Sequence, residues 1–276
     1  METRSLEAVA SNTKHNTIVT PEEWLLARKQ LLKKEKELTR LYDGLRAERL
    51  KLPWVEITKN YVFDGPDGKE TLSDLFDGRS QLFVQHFMFG PGWKEGCVGC
   101  SFGADHAQAA LVHLQNHDVT YVAVSRAPYA EIEAFKRRMG WTFKWVSSYE
   151  SDFNFDFHVS FRKEDVVNGE VYYNYAMQPY LSEEASGDST FYKDEDGRIF
   201  HAYSTYGRGG ETKLTTYMLL DLTPKGRNET GPDSNLTNWV RHHDRYNAGG
   251  YVAETGRYVA ETKSSSCCSE GHQHEN

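Results

Sequence analysis

The chain has 276 residues, 38% hydrophobic and 26% charged, a balance suited to one sizeable globular domain with appendages. Its formal net charge of -8 argues against a general nucleic-acid partner, because an acidic surface repels phosphate. No apolar run approaches the roughly 20 residues a membrane span needs. Met1-Glu2-Thr3-Arg4-Ser5 is not followed by the apolar stretch of a secretory signal, so a cytoplasmic location is expected.

Residues 1–19 are polar and are expected to be disordered. Thr20-Pro21-Glu22-Glu23 then announces a helix: Thr20 can cap, Pro21 suits the first turn, and Glu23 can close a capping box. Trp24, Leu25, Leu31, Leu32, Leu38, Leu41 and Leu45 recur near helical spacing, which predicts a long amphipathic helix to about Leu50, stopped by Pro53. Such a helix would pack on the main domain or on a second copy of the chain, giving a homo-oligomer. Val55 to Val62 alternate loosely, and Asp64-Gly65-Pro66-Asp67-Gly68 is turn chemistry. Thr71 to Phe76 suggests a short helix.

Gln81 to Met88 is a mostly apolar run and predicts a central strand. The loop Phe89–Gly96 leads to Cys97, and from about Ser101 a helix follows with Ala107, Ala110, Leu111 and Leu114 on one face. Thr120–Val124 predicts a second buried strand, Tyr129–Met139 a helix ended by Gly140, and Phe143–Val146 a third strand. After an aromatic segment, Thr190 to Tyr206 predicts a hairpin turning at Asp196-Gly197, and residues 211–221 a helix. Tyr251-Val252-Ala253-Glu254-Thr255 recurs as Tyr258-Val259-Ala260-Glu261-Thr262, too short a repeat for a solenoid. The predicted organisation is an α/β domain over 20–246, preceded by a disordered segment 1–19 and followed by a disordered polar tail over 247–276.

The four cysteines are Cys97, Cys100, Cys267 and Cys268, too few for a disulfide scaffold. Cys97 and Cys100 stand at i and i+3, just past a strand and at the start of a helix, where two sulfurs are close enough to bridge. Backbone amides and the helix dipole there favour a thiolate. Cys97 is thus the candidate nucleophile and Cys100 the resolving thiol of an oxidoreductase acting on a small-molecule or thiol substrate. Lys94 would favour the thiolate and Glu95 oppose it. Arg126, at the end of the second strand, can reach the same sheet end and stabilise a thiolate or hold a carboxylate. An alternative is copper or zinc held by Cys97, Cys100 and a histidine, preferably His106 or His201. His86 is more simply a core residue, and the histidines have ordinary readings as buried, hydrogen-bonded rings. Cys267 and Cys268, with His272 and His274, have the composition of a soft-metal site or of a solvated tail. Trp93, Trp141, Trp145, Tyr203 and Tyr206 can line a pocket or fill the core.

Phe89-Gly90-Pro91-Gly92-Trp93-Lys94-Glu95-Gly96-Cys97-Val98-Gly99-Cys100-Ser101-Phe102, followed by Asp105-His106, resembles the signature of the domain of unknown function 899. Further matches are Val122–Pro128, Met139-Gly140-Trp141, Ser151–Phe157, Phe200–Tyr206 and Asp221–Arg227. The resemblance spans roughly residues 20–246. It implies a thioredoxin-like sheet flanked by helices and a dithiol–disulfide oxidoreductase activity. In thioredoxins a proline faces the dithiol from the strand before the final hairpin; here Gly187-Asp188-Ser189-Thr190 takes that place without one.

Overall fold

The computed structural model describes residues 16–162, 164, 169–180, 182–227, 238–253 and 255–260. The frame is an eight-stranded mixed sheet, and its centre is β4 (Gln81–His86) lying parallel to β5 (Val119–Ser125). Leu82 and Val84 point to one face of β4 and Phe83 and Gln85 to the other, and both faces are covered. That double burial is why the strand reads as a nearly continuous apolar run. α2 (Val98–Asn116) makes the crossover from β4 to β5, and α3 (Tyr129–Arg138) leads from β5 to a further parallel strand, β6 (Lys144–Ser147).

On the other side of β4 lies β9 (Gly187–Lys193), antiparallel, and then β10 (Ile199–Tyr206). The order β10-β9-β4-β5, with the dithiol at the start of the crossover helix, is a thioredoxin-like arrangement. β1 (Val55–Ile57) extends the sheet beyond β10, and the hairpin of β2 (Val62–Gly65) and β3 (Gly68–Thr71) extends it beyond β6. The predicted helix near Thr71–Phe76 is a single 3-10 turn, Asp74–Phe76. The expected hairpin starts three residues earlier than its β-branched signal at Thr190, because Gly187 and Asp188 also pair with β4.

The sheet separates two packed clusters. One gathers Phe63, Phe76, Leu82, Val84, Val124, Phe153 and Phe191; Phe153 comes from the one-turn helix α4 (Phe153–Asp156). The other lies under α2 and α3 and holds Phe87, Tyr121, Phe135, Trp141 and Trp145. Trp141 and Trp145 are therefore core. A third, smaller cluster of Phe102, Tyr217, Trp239 and Val240 ties α2 to α5 (Thr215–Leu220). A minor sheet pairs β7 (Glu170–Tyr173) with β8 (Ala176–Pro179), from the aromatic segment that periodicity left unassigned.

α1 (Pro21–Arg49) carries the capping box: the Glu23 amide donates to Thr20 Oγ1 (3.3 Å) and the Thr20 amide to the Glu23 carboxylate (3.0 Å). None of its residues is buried, so the apolar stripe that the spacing predicts is left largely exposed, although Arg49 in the last turn lies over the Tyr203 ring (5.3 Å). Within the segment read as a polar tail, the two Tyr-Val repeats pair with each other as β11 (Tyr251–Val252) and β12 (Tyr258–Val259). Residues 1–15 and 261–276, with Cys267 and Cys268, lie outside the described residues. No helix among the described residues is long and apolar enough to cross a membrane.

Phe153 is fully buried and lies edge-on to Tyr61 and Phe63, with His86 and Phe157 also against it. Phe153→Ala is expected to cost about 3–5 kcal/mol of unfolding free energy in urea titration. A loss under about 1 kcal/mol would remove this ring from the core that backs the sheet.

Candidate active site

The dithiol is placed by the passage from β4 into α2. After His86 the chain runs on through Phe87, whose amide donates to the Val124 carbonyl (2.9 Å), so the sheet holds it one residue beyond the strand. It then loops through Gly90 to Gly96 and returns to where it left. The Cys97 amide donates to the Met88 carbonyl (2.9 Å), and the Met88 amide donates to Cys100 Sγ (3.4 Å). Gly96 has to be glycine, because a Cβ there would lie 2.6 Å from the Phe87 ring and 3.0 Å from that of Phe135. The helix begins three residues earlier than its apolar face suggested, with Cys97 as its N-cap residue and Cys100 in its first turn.

Both cysteines are free. Cys97 is partly exposed and Cys100 buried. A hydrogen bond from the Cys100 thiol lowers the Cys97 pKa to about 7; burial opposes this, and the Cys100 and Gly99 amides add to it. Cys100 is pushed the other way, first by donating to Cys97 and then by burial. One sulfur is prepared as a thiolate and the other as a thiol that keeps its proton.

Cys100 also forms part of the wall of a cavity of about 420 Å³. Gln85 joins it there, donating from Nε2 to the Cys100 carbonyl (2.9 Å) while its Oε1 accepts from the Tyr121 hydroxyl. Across the cavity, Asp188 and Lys213 form an ion pair, and Ser186, Gly187 and Tyr206 complete that side. Burial raises the Asp188 pKa, and Lys213 works against the rise. Gly187 and Asp188 thus do face the dithiol from β9. Their place is shaped by a ring, since a Cβ on Gly187 would lie 2.7 Å from Tyr206. Sequence reasoning missed Gln85, Tyr121 and Lys213. Gln85 carried a signal, a polar residue in the middle of an apolar strand, whereas Lys213 is brought in by a connection no local pattern reveals.

The other expected participants are placed elsewhere. Arg126 Nε lies 2.9 Å from Glu184, which also accepts from the Ser160 hydroxyl (2.6 Å), and its guanidinium lies 4.7 Å from the Phe155 ring centre. The structure brings Arg126 to this buried carboxylate and not to the sulfurs. Burial raises Glu184 to about 7, against the pull of Arg126. Glu95 does not oppose the thiolate freely: burial alone would raise its pKa, but hydrogen bonds from Arg138 and Arg245 hold its carboxyl below the usual range.

His106 spends both ring nitrogens joining α2 to α5, Nδ1 on the Phe102 carbonyl (2.6 Å) and Nε2 on the Thr216 amide (3.0 Å) and hydroxyl (2.8 Å). His201 shares a hydrogen bond with Ser204 (2.7 Å) and borders a different cavity. His86 is a core ring bonded to Ser189 (2.8 Å). The copper or zinc set of Cys97, Cys100 and His106 or His201 is therefore not assembled. Among the described residues no three His, Cys, Asp or Glu side chains gather as a metal ion requires.

The family model described as "Bacterial protein of unknown function (DUF899)" matches residues 13–246. No curated protein matches the chain. Among solved structures, a mutant of PrxQ from Xylella fastidiosa is similar at 17% identity and a TM-score of 0.36, over 57% of this chain and 87% of that one. Peroxidoxin BcpB from Mycobacterium tuberculosis is similar at 14% identity and a TM-score of 0.40, over 60% and 95%. The reduced 2-Cys peroxiredoxin of Plasmodium vivax is similar at 12% identity and a TM-score of 0.35, over 56% and 82%.

Alkylation of the reduced chain by iodoacetamide, followed site by site by mass spectrometry, is expected to label Cys97 at a rate that rises through about pH 7 and levels off above it. Cys100 is expected to stay unmodified over the same range. A Cys97 midpoint at the ordinary thiol value of about 8.5 would refute the prepared thiolate.

Proposed function

The chain belongs to the DUF899 family, and we propose that it works as a thiol–disulfide oxidoreductase with Cys97 as nucleophile and Cys100 as resolving thiol. The observation that carries this is the placement of two free sulfurs at one helix start, Cys97 partly exposed at the N-cap and Cys100 buried in the first turn under the Met88 amide, an arrangement that lowers the first thiol and raises the second. A disulfide of a small molecule or of a thiol protein is the substrate class.

The Cys97 thiolate attacks one sulfur of the substrate disulfide. A Cys97–substrate bond forms, the substrate S–S bond breaks, and its second sulfur leaves as a thiolate. Cys100 then gives up its proton and attacks Cys97 Sγ. The Cys97–Cys100 bond forms and the mixed disulfide breaks, releasing the other substrate thiolate. The substrate has gained two electrons and the dithiol has lost two. Asp188 is the base best suited to take the Cys100 proton: it shares the cavity wall, and burial lifts its affinity for a proton towards the task. Lys213 beside it holds the carboxylate in place.

We also propose that α1 is a seam for a second copy of the chain. Trp24, Leu31, Leu38 and Leu45 stand at intervals of seven residues and are all exposed. A seven-residue repeat over four positions keeps one stripe facing a partner helix when two helices coil together, and an identical stripe is supplied by an identical chain.

With a disulfide substrate, Cys100→Ser is expected to accumulate the mixed disulfide on Cys97, and Cys97→Ser to lose exchange altogether. Asp188→Asn is expected to leave the first attack intact and slow resolution by about 100-fold or more. Exchange that survives Cys97→Ser would end the reading. In sedimentation, Leu31→Glu with Leu38→Glu is expected to turn a dimer into a monomer; a full chain that is already monomeric at high concentration would remove the seam.

A further inference from the structure

The cavity that His201 borders shares one described wall residue, Tyr206, with the dithiol cavity, and the proposed exchange makes no use of it. It holds about 300 Å³, at the lower end of the roughly 300–1,000 Å³ usual for small-ligand sites. Seven of the nine described residues on its wall carry an aromatic or imidazole ring; the other two are Ile57 and Asp156. Tyr61, Phe157 and Tyr206 are buried and make its floor, whereas His158, Tyr172 and Tyr175 are exposed and stand at its rim.

The rim is held by backbone that glycine would adopt more readily. β7 and β8 pair as far as Tyr173 and Ala176, which leaves Asn174-Tyr175 as a two-residue turn with φ of 51° and 66°. Glycine is the usual second residue of such a turn, and a bulky side chain there is an outlier. Tyr175 takes the place nonetheless, and so sets its ring 5.5 Å from that of Tyr206 at 72°. His158, just past α4, has φ of 53°, again where a helix end commonly has glycine, and its ring lies 4.8 Å from Tyr172 at 72°. Strained non-glycine residues gather where a structure is put to use. The phenol hydroxyls are committed elsewhere: Tyr61 donates to Asp156 (2.7 Å), Tyr175 to the Ser204 carbonyl (2.9 Å) and Tyr206 to the Phe157 carbonyl (3.1 Å). These bonds fix the rings, so what the cavity offers a ligand is ring surface. Phe157 and His201 also meet steeply, at 89°, and each steep pair leaves both faces of one ring uncovered by the other.

The face of an aromatic ring is negative and attracts a cation. The protein already does this with a cation of its own, since Lys59 Nζ lies 5.3 Å from the centre of the Tyr61 ring. Lys59 also donates to Asp156 (2.6 Å) and Asp152 (3.1 Å), and Arg162 pairs with Asp152 (2.8 Å). Burial would raise the Asp156 pKa, but hydrogen bonds from Lys59 and Tyr61 outweigh it and hold the carboxyl below the usual range. Burial lowers the His201 pKa, so that ring adds no positive charge at pH 7. A ligand with N–H donors would have to share a carboxylate that Lys59 already holds, and a donor stripped of water without a full partner is costly. A quaternary ammonium has no N–H to satisfy and needs ring faces alone. We propose that the cavity bounded by Tyr61, Tyr172, Tyr175 and Tyr206 is a binding site for a small quaternary ammonium compound.

The test compares two probes on the full chain at fixed ionic strength, by equilibrium dialysis and saturation-transfer NMR: choline, and 3,3-dimethylbutan-1-ol, the neutral compound of the same shape with carbon in place of nitrogen. Choline is expected to bind saturably and the alcohol at least about 10-fold more weakly. Tyr175→Gly removes a ring while relaxing the turn, so it is expected to fold as the parent chain does by circular dichroism and to bind choline about 5-fold more weakly or worse. Tyr175→Phe, which keeps the ring, is expected to retain binding. Choline that does not saturate, or an alcohol that binds as well as choline, overturns the site on the unaltered chain, whatever the variants do. Undiminished choline binding by a folded Tyr175→Gly chain overturns the assignment of the rim.

Discussion

Met88 holds the site together through its main chain. Its carbonyl receives the Cys97 amide and its amide reaches the Cys100 sulfur, so the residue that ends the β4 passage also pins both halves of the dithiol. A helix start is usually free to fray, since its first amides have no partners within the helix. Here the sheet reaches across the loop and fixes it. The 2.6 Å that a Gly96 Cβ would leave to Phe87 measures how closely the chain is drawn back against its own strand.

From that pin the electrostatics follow. Cys97 sits where amides converge and accepts a hydrogen bond from its partner thiol, while Cys100 is turned inward among groups that offer it little solvation. A charge in such a place interacts more strongly than it would in water, so the Asp188–Lys213 pair across the cavity is felt at the sulfur. Gln85 steadies the arrangement by bonding the helix through the Cys100 carbonyl and the sheet through Tyr121. The two faces of β9 have different neighbours: Asp188 lines the cavity that Cys100 borders, and Ser189 bonds His86 and Ser204.

Much of this was legible in the sequence where the signal is local. The capping box at Thr20, the buried strands at Gln81 and Thr120, the spacing of Cys97 and Cys100, and the absent proline near Asp188 all stand in short stretches of chain, and each is found where the pattern placed it. What sequence could not supply was pairing across distance. Arg126 was expected at the sulfurs because it follows a strand, yet a buried carboxylate 58 positions away, Glu184, has the stronger claim on it. His106 looked available as a ligand until Thr216 occupied it. Lys213 comes from a 3-10 turn, Gly207–Lys213, that no periodicity announces. The Tyr-Val repeat is visible in the sequence but its pairing is not, because two short strands are meaningful only once they meet.

The uneven exposure of the two sulfurs has a consequence for the traffic they can handle. Cys97 alone meets the outside, and Cys100 alone borders the interior hollow. Contact from outside is made at the outer atom, whereas a molecule lodged in the hollow lies against the wall to which the inner one belongs. One helix start thus divides its two sulfurs between two compartments, so that each can be probed by reagents the other does not meet.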